Sequence, residues 1–503
     1  MQFAFTIMFH YLFPPLSIGL STILVLMEAL YLKTKNPLYS AMCKFWVKIF
    51  ALNFSLGVAT GIVMQAEFGT NWATYSKYVG DIFGSALAAE GIFAFFLESG
   101  FLAVLLFGWN RVSPKMHFFA TLMVCLGSTF SAFWITVANS WMHTPAGFEI
   151  VGQGLNAKAH IIDFWAMVFN PSAMWRFAHV VVGAWLVGAF FVMSVSAYYV
   201  IKRRHLEFAK KSFAIALTVA ALACPTQALI GSRQAEVMAA HQPAKMAAME
   251  GNFKTQVGAP FYIIGLPNQK TGEVDYAVKI PGLLSFLVTG RFDGLVVGLE
   301  DFPEKDRPPV VVPFLTYHGM IGIGIYLLSI SWLAMFLFLR KKLFTKTWLM
   351  RLFVVSVIGP YIANQLGWVA SEVGRQPWVV YGQLRTSDAL SKAVTAEHIF
   401  ASLILFAVIY ALLFMVFIYS LDRQIKRGPD LPQEPSGDDK KPDGFRAVTT
   451  DRLDAASHAE PGCDGKDKNP ECDHPKTSDD ASETGRKTGE SRSNESGSGE
   501  RRD

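Results

Sequence analysis

Long apolar blocks are the feature that most constrains this chain of 503 residues. Nine such blocks can be counted, each near or above the roughly 20 residues that cross a bilayer as a helix. They lie at residues 5–31, 46–65, 88–108, 117–138, 177–201, 212–231, 313–339, 349–369 and 396–420. The first block is too long, and too rich in polar and aromatic residues, for a cleavable signal peptide. We therefore predict an all-α integral membrane protein, a bundle of about nine transmembrane helices.

Lysine and arginine cluster in alternate connections between these blocks. The clusters are Lys33, Lys35, Lys44 and Lys48; Arg111 and Lys115; Lys202, Arg203, Arg204, Lys210 and Lys211; and Arg340, Lys341, Lys342, Lys346 and Arg351. Because positively charged loops are retained in the cytoplasm, the pattern predicts an external N-terminus and a cytoplasmic C-terminus. The net charge of +5 then reflects membrane topology and requires no nucleic-acid partner.

Composition divides the chain into four parts. Residues 1–231 hold transmembrane helices 1 to 6, and residues 313–420 hold helices 7 to 9. The connection 232–312 contains Phe, Tyr, Ile and Leu throughout, which predicts an ordered external loop packed against the membrane-spanning helices. Residues 421–503 are rich in Ser, Gly and charged residues and poor in large apolar ones, which predicts a disordered cytoplasmic tail.

Ionisable and metal-ligating side chains recur inside the apolar blocks. They are His10 in helix 1, Glu90 and Glu98 in helix 3, His179 in helix 5, His318 and Met320 in helix 7, and Glu372 at the end of helix 8. Such groups are costly in lipid and typically face the bundle interior, where they pair, move protons or hold a cofactor. In the predicted topology they lie in the outer half of the membrane, except Glu98. On an ideal helix Glu98 lies about 12 Å deeper than Glu90 and about 80° around the axis.

These residue types are typical of haem sites. A His/Met pair is the low-spin, electron-transferring combination, whereas a single His or a weak oxygen ligand leaves the iron high-spin and able to bind O2. Each residue alone is weak support, because a lone helical histidine is more often a hydrogen-bonded structural residue. Met320 alone would be assigned to packing in a chain with 18 methionines.

Six longer segments carry a more specific signal. They are "QFAFTIMFHYLFPPLSIGL", "FGTNWATYSKYVGDIFG", "EGIFAFFLES", "FWITVANSWM", "RFAHVVVGAW" and "GWVASEVGRQPW". In this order, and across residues 1–420, they resemble subunit I of the cytochrome bd-type quinol oxidases. The resemblance implies three haems, oxidation of quinol by O2, and a multi-pass location in the bacterial inner membrane. It also implies a second large membrane subunit, subunit II, with a small single-helix subunit as a further candidate partner.

The resemblance implies iron ligands at four positions. His179 and Met320 match the ligands of the low-spin haem b. His10 and Glu372 match the axial ligands of two high-spin haems, of which one is haem b and the other is haem d or a further haem b. Which of these two haems reduces O2 stays open.

Four further residues would surround the haems. Glu90 and Glu98 match acids beside the high-spin pair and on the proton route. Trp368 would lie between haems. Arg375 would neutralise haem propionates, since its planar fork suits carboxylates.

Lys245 and Glu250 in the external loop match a pair tied to quinol oxidation in this family. Glu250 would accept a quinol proton and Lys245 would orient the head group. The protons of quinol would then leave on the outer side, while those that form water come from the cytoplasm. The resemblance therefore implies an oxidase that generates a membrane potential without pumping.

Two departures from the family pattern bear on the haem type. His318 stands where many relatives have arginine near the low-spin haem. The segment between Val297 and Pro313 lacks the long insertion of one subgroup and resembles the short-loop, cyanide-insensitive branch. Whether haem d is present is therefore left open by the sequence.

Other classes of membrane protein fit less well. A secondary transporter would show broken helices or an internal repeat, and the two halves show no repeat. A cytochrome b of the quinol:cytochrome c type needs two helices that each carry two histidines about four turns apart, and no apolar block does. A haem-copper oxidase needs a histidine cluster for copper, which the sequence lacks.

Overall fold

The computed structural model describes residues 2–391 and 394–431. Within them, nine helices are long and apolar enough to cross a membrane. In chain order, helices 1 to 9 are Gln2–Thr34, Pro37–Thr70, Gly80–Phe107, Pro114–His143, Ala173–Ile201, Leu206–His241, Val311–Leu339, Thr347–Val373 and Ala396–Arg427. Each predicted block coincides with one of them, so the all-α membrane fold is confirmed. Helix 9 continues to Arg427, beyond the predicted boundary at 420, and the predicted tail from residue 432 onward lies outside the described residues.

Prolines interrupt two of these helices. Helix 1 consists of Gln2–His10 and Pro14–Thr34, and helix 8 consists of Thr347–Ser356 and Ile358–Val373. Proline has no backbone N–H to donate to the carbonyl four residues earlier. Pro14 therefore leaves the His10 carbonyl without its helical partner, and Pro360 does the same for Ser356. Interrupted helices alone thus do not indicate a transporter here.

Helix 5 lies at the centre of the bundle and helix 9 at its edge. Most of the central stretch of helix 5 is buried, whereas helix 9 exposes nearly all of its side chains. Helices 1 and 5 cross in contact at Gly19 and Gly188, where an added Cβ on Gly19 would lie 2.7 Å from the Gly188 nitrogen. Small residues of this kind allow close backbone approach in membranes.

The connections divide between two ends of the bundle. The basic end has the short connections 35–36, 108–113, 202–205 and 340–346. The loop end has the long connections 71–79, 144–172, 242–310 and 374–395. These contain the short helices Ala73–Tyr78, Phe164–Val168, Pro243–Glu250 and Leu283–Thr289. They also contain four antiparallel strand pairs: Phe148–Val151 with Lys158–Ile161, Gln256–Val257 with Leu295–Val296, Phe261–Asn268 with Glu273–Ile280, and Trp378–Val380 with Leu384–Arg385.

The long connection 242–310 packs back onto the membrane helices. In the helix Pro243–Glu250, every side chain from Ala244 onward is buried. Its Met246 packs beside Met238 of helix 6. Gly251 ends this helix with a positive φ of 64°, and an added Cβ there would lie 3.1 Å from the Phe314 ring of helix 7. The short helix is therefore clamped between helices 6 and 7.

Candidate functional site

A group of buried polar side chains, here called the charged cluster, lies at the loop end. It consists of Asn139, His143, Arg176, Lys245, Ser371, Glu372 and Arg375. These residues come from helices 4, 5 and 8, from the helix Pro243–Glu250 and from the turn after helix 8. His143, Lys245 and Arg375 are at most 5% exposed, and Arg176 is 9% exposed. The cluster thus joins the long connection 242–310 to the membrane helices.

Glu372 is fixed by donors on both of its oxygens. Its Oε1 lies 3.1 Å from Asn139 Nδ2 and 3.3 Å from His143 Nε2, and its Oε2 lies 2.5 Å from Arg375 Nη2. Lys245 Nζ lies 3.3 Å from His143 Nδ1. The same Nδ1 lies 3.3 Å from Gln242 Oε1, and because a carboxylate only accepts, the imidazole donates from Nε2 to Glu372. One ring therefore contacts both the loop lysine and the carboxylate.

The charged cluster contains more cations than anions. Two arginines, Arg176 and Arg375, lie near one carboxylate, that of Glu372, and the Lys245 amine lies beside them. Arg176 Nη1 donates to Ser371 Oγ at 3.1 Å. Among the described residues, Arg176 Nε and both Nε and Nη1 of Arg375 are buried without a hydrogen-bond partner. An unpaired buried cation is strongly destabilising, so the arrangement fits one or more anionic groups bound between these side chains.

Lys245 and Glu250 lie on the same short helix but contact different surroundings. Burial lowers the pKa of Lys245 well below its usual range, and the neighbouring Arg176 lowers it further. Burial raises the pKa of Glu250 to about 8, although a hydrogen bond with Tyr317 of helix 7 opposes the shift. In the part of the chain that the structure describes, no hydrogen bond or ion pair joins Lys245 to Glu250. Lys245 therefore belongs to the charged cluster, and Glu250 faces helix 7.

His179 and Met320 lie in one layer near the loop end. A Cβ added to Gly367 of helix 8 would lie 2.7 Å from Met320 Sδ. One turn closer to the basic end, a Cβ added to Gly183 of helix 5 would lie 3.2 Å from Asn364 Oδ1 of helix 8. Gly183 is one turn from His179, and Asn364 is about one turn from Gly367. Helix 8 therefore brings these two predicted ligands to similar depth.

His10 is oriented by helix 2. Its Nδ1 lies 2.9 Å from Thr60 Oγ1, and that hydroxyl donates its own proton to the Leu56 carbonyl at 2.8 Å. Thr60 must therefore accept from His10 Nδ1–H, which leaves the Nε2 lone pair available to a metal. A Cβ added to Gly61 would lie only 3.2 Å from the imidazole Cε1, so glycine makes room for the ring.

Glu90 and Glu98 both face helix 4, which corrects the sequence-based expectation of an 80° separation. Residues Glu90–Phe95 form a π-helical turn, and such a turn holds one residue more than an α-helical turn. The extra residue removes about 100° of rotation, so the two carboxylates point within about 20° of one another. Accordingly, Ser131 Oγ donates to Glu90 at 2.7 Å and Ser128 Oγ donates to Glu98.

Two residues singled out in the sequence remain to be placed, Trp368 and His318. Trp368 is half-buried on helix 8, one turn before Glu372. His318 Nδ1 donates to the Phe314 carbonyl at 2.9 Å, and its ring stacks on Phe314 with centroids 4.0 Å apart. The Phe261 ring of the long connection lies 5.4 Å from His318. His318 therefore lies where the long connection 242–310 meets helix 7.

Sequence reasoning missed four members of the charged cluster, namely Asn139, His143, Arg176 and Ser371. Arg176 had a usable signal, since it precedes His179 by three residues and shares its helix face. His143 and Asn139 had a weaker one, a polar pair spaced by four residues at the end of an apolar block. Their contact with Glu372 depends on the packing of helix 4 against helix 8, which periodicity does not report.

Comparison with known proteins decides the family. The profile of the family described as cytochrome bd terminal oxidase subunit I matches residues 1–429. The chain belongs to that family. The cytochrome bd ubiquinol oxidase subunit 1 of Bacillus subtilis is 39% identical, covering 85% of this chain and 93% of that protein. The cytochrome bd-II ubiquinol oxidase subunit 1 of Escherichia coli is 34% identical, covering 86% and 96%.

A solved structure gives the same fold. The bd oxidase from Geobacillus thermodenitrificans superposes with a TM-score of 0.80 at 29% identity, covering 85% of this chain and 97% of the compared chain. The protein is therefore the first subunit of a haem-containing quinol oxidase, a membrane-embedded bacterial respiratory complex in which it works with a subunit II.

The described side chains fit haem. The excess of buried cations in the charged cluster suits haem propionates, whose carboxylates match the arginine fork. Two ligand candidates face glycines, since a Cβ added to Gly231 of helix 6 would lie 3.6 Å from His179 Cε1 and Gly61 lies against His10. His179 Nδ1 is buried without a partner among the described residues. The candidate imidazole and thioether ligands thus lie against glycines, which leave room that a side chain would fill.

Proposed function

We propose that this chain oxidises quinol at the loop end and carries the haem at which O2 is reduced to water in the same half of the membrane. The charged cluster is the observation that supports this most directly. It places Lys245 of the external loop and Glu372, the candidate iron ligand, on the two nitrogens of one imidazole, that of His143. Electrons leaving quinol would therefore travel only a short distance.

The resemblance to the family supplies the ligand assignment, and the similar depth of His179 and Met320 supports it. His179 and Met320 would hold the low-spin haem b from helices 5 and 7, while His10 and Glu372 would hold the two high-spin haems, of which one is haem b and the other haem d or a further haem b. When bound, these haems supply one-electron transfer and the site of O2 reduction. Arg375 would neutralise propionates, and Trp368, on the same helix as Glu372, would lie between the haems.

Quinol oxidation uses the two buried groups of the short helix Pro243–Glu250. Lys245 orients the head group, and Glu250 in its ionised form takes a hydroxyl proton. The pKa of Glu250, raised to about 8 by burial, suits a base that receives a proton and releases it near neutral pH. The quinol itself, ubiquinol or menaquinol, is identified by turnover with each.

The protons that form water come from the opposite side of the membrane. The basic end carries the lysine and arginine clusters, which orient it toward the cytoplasm and the N-terminus outward. Glu98 and then Glu90 pass protons from there toward the high-spin haems, because both carboxylates face one side of helix 4. Proton uptake on one side and release on the other generates a membrane potential without pumping.

Two measurements on the purified complex with subunit II test this function. A reduced-minus-oxidised optical spectrum should show three haems, one of them low-spin, and it identifies haem d or haem b directly. In proteoliposomes, quinol turnover should take up protons from the basic end, with about one charge crossing per electron. Proton uptake from the loop end would contradict the proposed orientation, and absence of a low-spin haem would contradict the ligand assignment.

A further inference from the structure

A second buried ionisable pair lies between helices 1 and 4, away from the charged cluster. His117 Nδ1 lies 2.6 Å from Glu28 Oε1, and Thr121 Oγ1 donates to Glu28 Oε2 at 2.5 Å. Glu28 and His117 are each 3% exposed. His117 Nε2 is buried and has no partner among the described residues. Buried ionisable groups in a membrane protein are costly, and none of the roles proposed above uses this pair.

The pair lies next to the basic end of the bundle. Helix 4 begins at Pro114, so His117 is in its first turn. The Trp109 ring of the connection 108–113 lies 3.9 Å from the His117 ring, centroid to centroid. Lys44 Nζ lies 5.5 Å from the Trp109 ring. One half-buried indole therefore covers the imidazole on the side from which protons would arrive.

Helix 4 carries a row of polar side chains from this pair toward the loop end. The row is His117, Thr121, Cys125, Ser128 and Ser131. Spacings of three and four residues place all five side chains on one helix face. From His117 to Ser128 the row rises about 16 Å, roughly half the thickness of the hydrocarbon core.

At the basic end of this row, His117 and Thr121 contact the Glu28 carboxylate. In the middle of the row, Cys125 contacts helix 1. Cys125 Sγ lies 3.6 Å from Thr22 Oγ1 of helix 1. Beyond it, Ser128 donates to Glu98, and Ser131 donates to Glu90. The row therefore follows a single face of helix 4, from a buried Glu–His pair at the basic end to the two acids beside the proposed high-spin haems.

We propose that Glu28 and His117 form the proton inlet that supplies Glu98 and Glu90 along the row on helix 4. This inference rests on the proposed function, since it requires protons to come from the basic end. The unpartnered His117 Nε2 takes a proton from water at the covered edge, and the Nδ1 proton passes to Glu28. Each group along the row accepts one proton and gives one up, so one proton moves per cycle and no other reactant is consumed.

Proton transfer along the row requires a bridging group between Thr121 and Cys125. Thr121 and Cys125 are separated by about 6 Å of helix rise, which exceeds a direct hydrogen bond. A water held between Thr121, Cys125 and Thr22 bridges that step, as waters do between buried polar groups. The competing explanation is a clamp, in which Glu28, His117 and Thr121 only hold helices 1 and 4 together.

Substitution of Glu28 by glutamine separates these explanations. An amide keeps hydrogen bonds to the neighbours but cannot carry a proton, so Glu28→Gln should assemble with full haem content and lose roughly tenfold or more of its O2 reduction rate. The matched control is Glu67→Gln on helix 2. Glu67 is also 3% exposed and accepts a hydroxyl proton, from Thr6 at 2.8 Å, but it lies off the row. We expect this control to turn over normally.

The measurement is quinol-driven proton uptake by the complex in proteoliposomes, followed with a pH dye together with O2 consumption. Slow uptake in Glu28→Gln with a normal optical spectrum supports the inlet, and normal uptake overturns it. If Glu28→Gln does not assemble, the proton-uptake rates of Thr121→Val and Thr121→Ser are compared instead. A slow valine variant beside a normal serine variant supports the inlet, and two normal variants overturn it.

Failure of the inlet can be distinguished from failure of the proposed function. If the wild-type complex takes up protons from the basic end while Glu28→Gln does so at the normal rate, only the inlet is wrong. If the wild-type complex takes up protons from the loop end, the proposed orientation is wrong as well. The wild-type measurement therefore comes first.

Discussion

Glu250 makes a quantitative prediction about the pH dependence of quinol oxidation. Its carboxyl is 1% exposed, and burial raises its pKa to about 8, against an ordinary value of 4.5. A general base acts only in its ionised form. With a pKa of about 8, roughly one molecule in a hundred is ionised at pH 6 and about half are ionised at pH 8.

The kcat/KM for quinol should therefore rise about 50-fold between pH 6 and pH 8 and level off above pH 8. Glu250→Gln cannot ionise, so it should lower kcat/KM at pH 8 and remove this rise. The assay is O2 consumption over a series of quinol concentrations at saturating O2. An artificial one-electron donor serves as the control, because it bypasses the quinol site and should give the same rate in both proteins.

The same raised pKa fixes the sign of a stability effect. A carboxyl whose pKa is higher in the folded state stabilises that state fully below pH 4.5, and this contribution is lost as pH rises toward about 8. The wild-type complex should therefore lose thermal stability relative to Glu250→Gln between pH 5 and pH 8. A kcat/KM that is flat with pH in the wild type, or that rises equally in both proteins, would refute the assignment of Glu250 as the base.

Four further substitutions test the other assignments. His179→Ala should abolish the low-spin optical signal and quinol oxidation, while Met320→Leu should convert that iron to high-spin and retain the fold; unchanged low-spin spectra in both would remove them as ligands. Lys245→Ala should raise KM for quinol and leave turnover with the artificial donor intact, and equal loss with both donors would indicate a structural role. Glu98→Gln should keep the low-spin haem and slow O2 reduction severely in stopped-flow measurements, whereas normal turnover would place Glu98 off the proton path.

The membrane helices could be predicted because one physical quantity determines them. Crossing a bilayer requires a long apolar stretch, and hydropathy reports that stretch directly. The boundaries were harder, because helix ends extend into the interface, as helix 9 does to Arg427. The interruption after Ser356 was also readable in principle, since Pro360 removes the helical partner of that carbonyl.

The candidate site was harder to predict from the sequence, because the side chains that meet there depend on how each helix is rotated about its axis. The π-helical turn at Glu90–Phe95 adds a single residue to helix 3, and no composition signal marks it. Without that turn, Glu90 and Glu98 would point about 80° apart and could not both meet serines on one face of helix 4. A shift of one residue therefore determines whether the two acids belong to one path.

The imidazole of His143 has a consequence for interpreting any substitution in the charged cluster. Its two nitrogens contact Lys245 and Glu372, each at 3.3 Å, and Arg375 contacts the other oxygen of that carboxylate. Residues that share a hydrogen-bond partner rarely have additive effects. Removing the His143 side chain takes one donor from Glu372, the candidate iron ligand, and one contact from Lys245 of the short helix Pro243–Glu250. Quinol affinity and the high-spin haem spectrum should therefore change together in this cluster, although the groups that carry them lie on different elements of the fold.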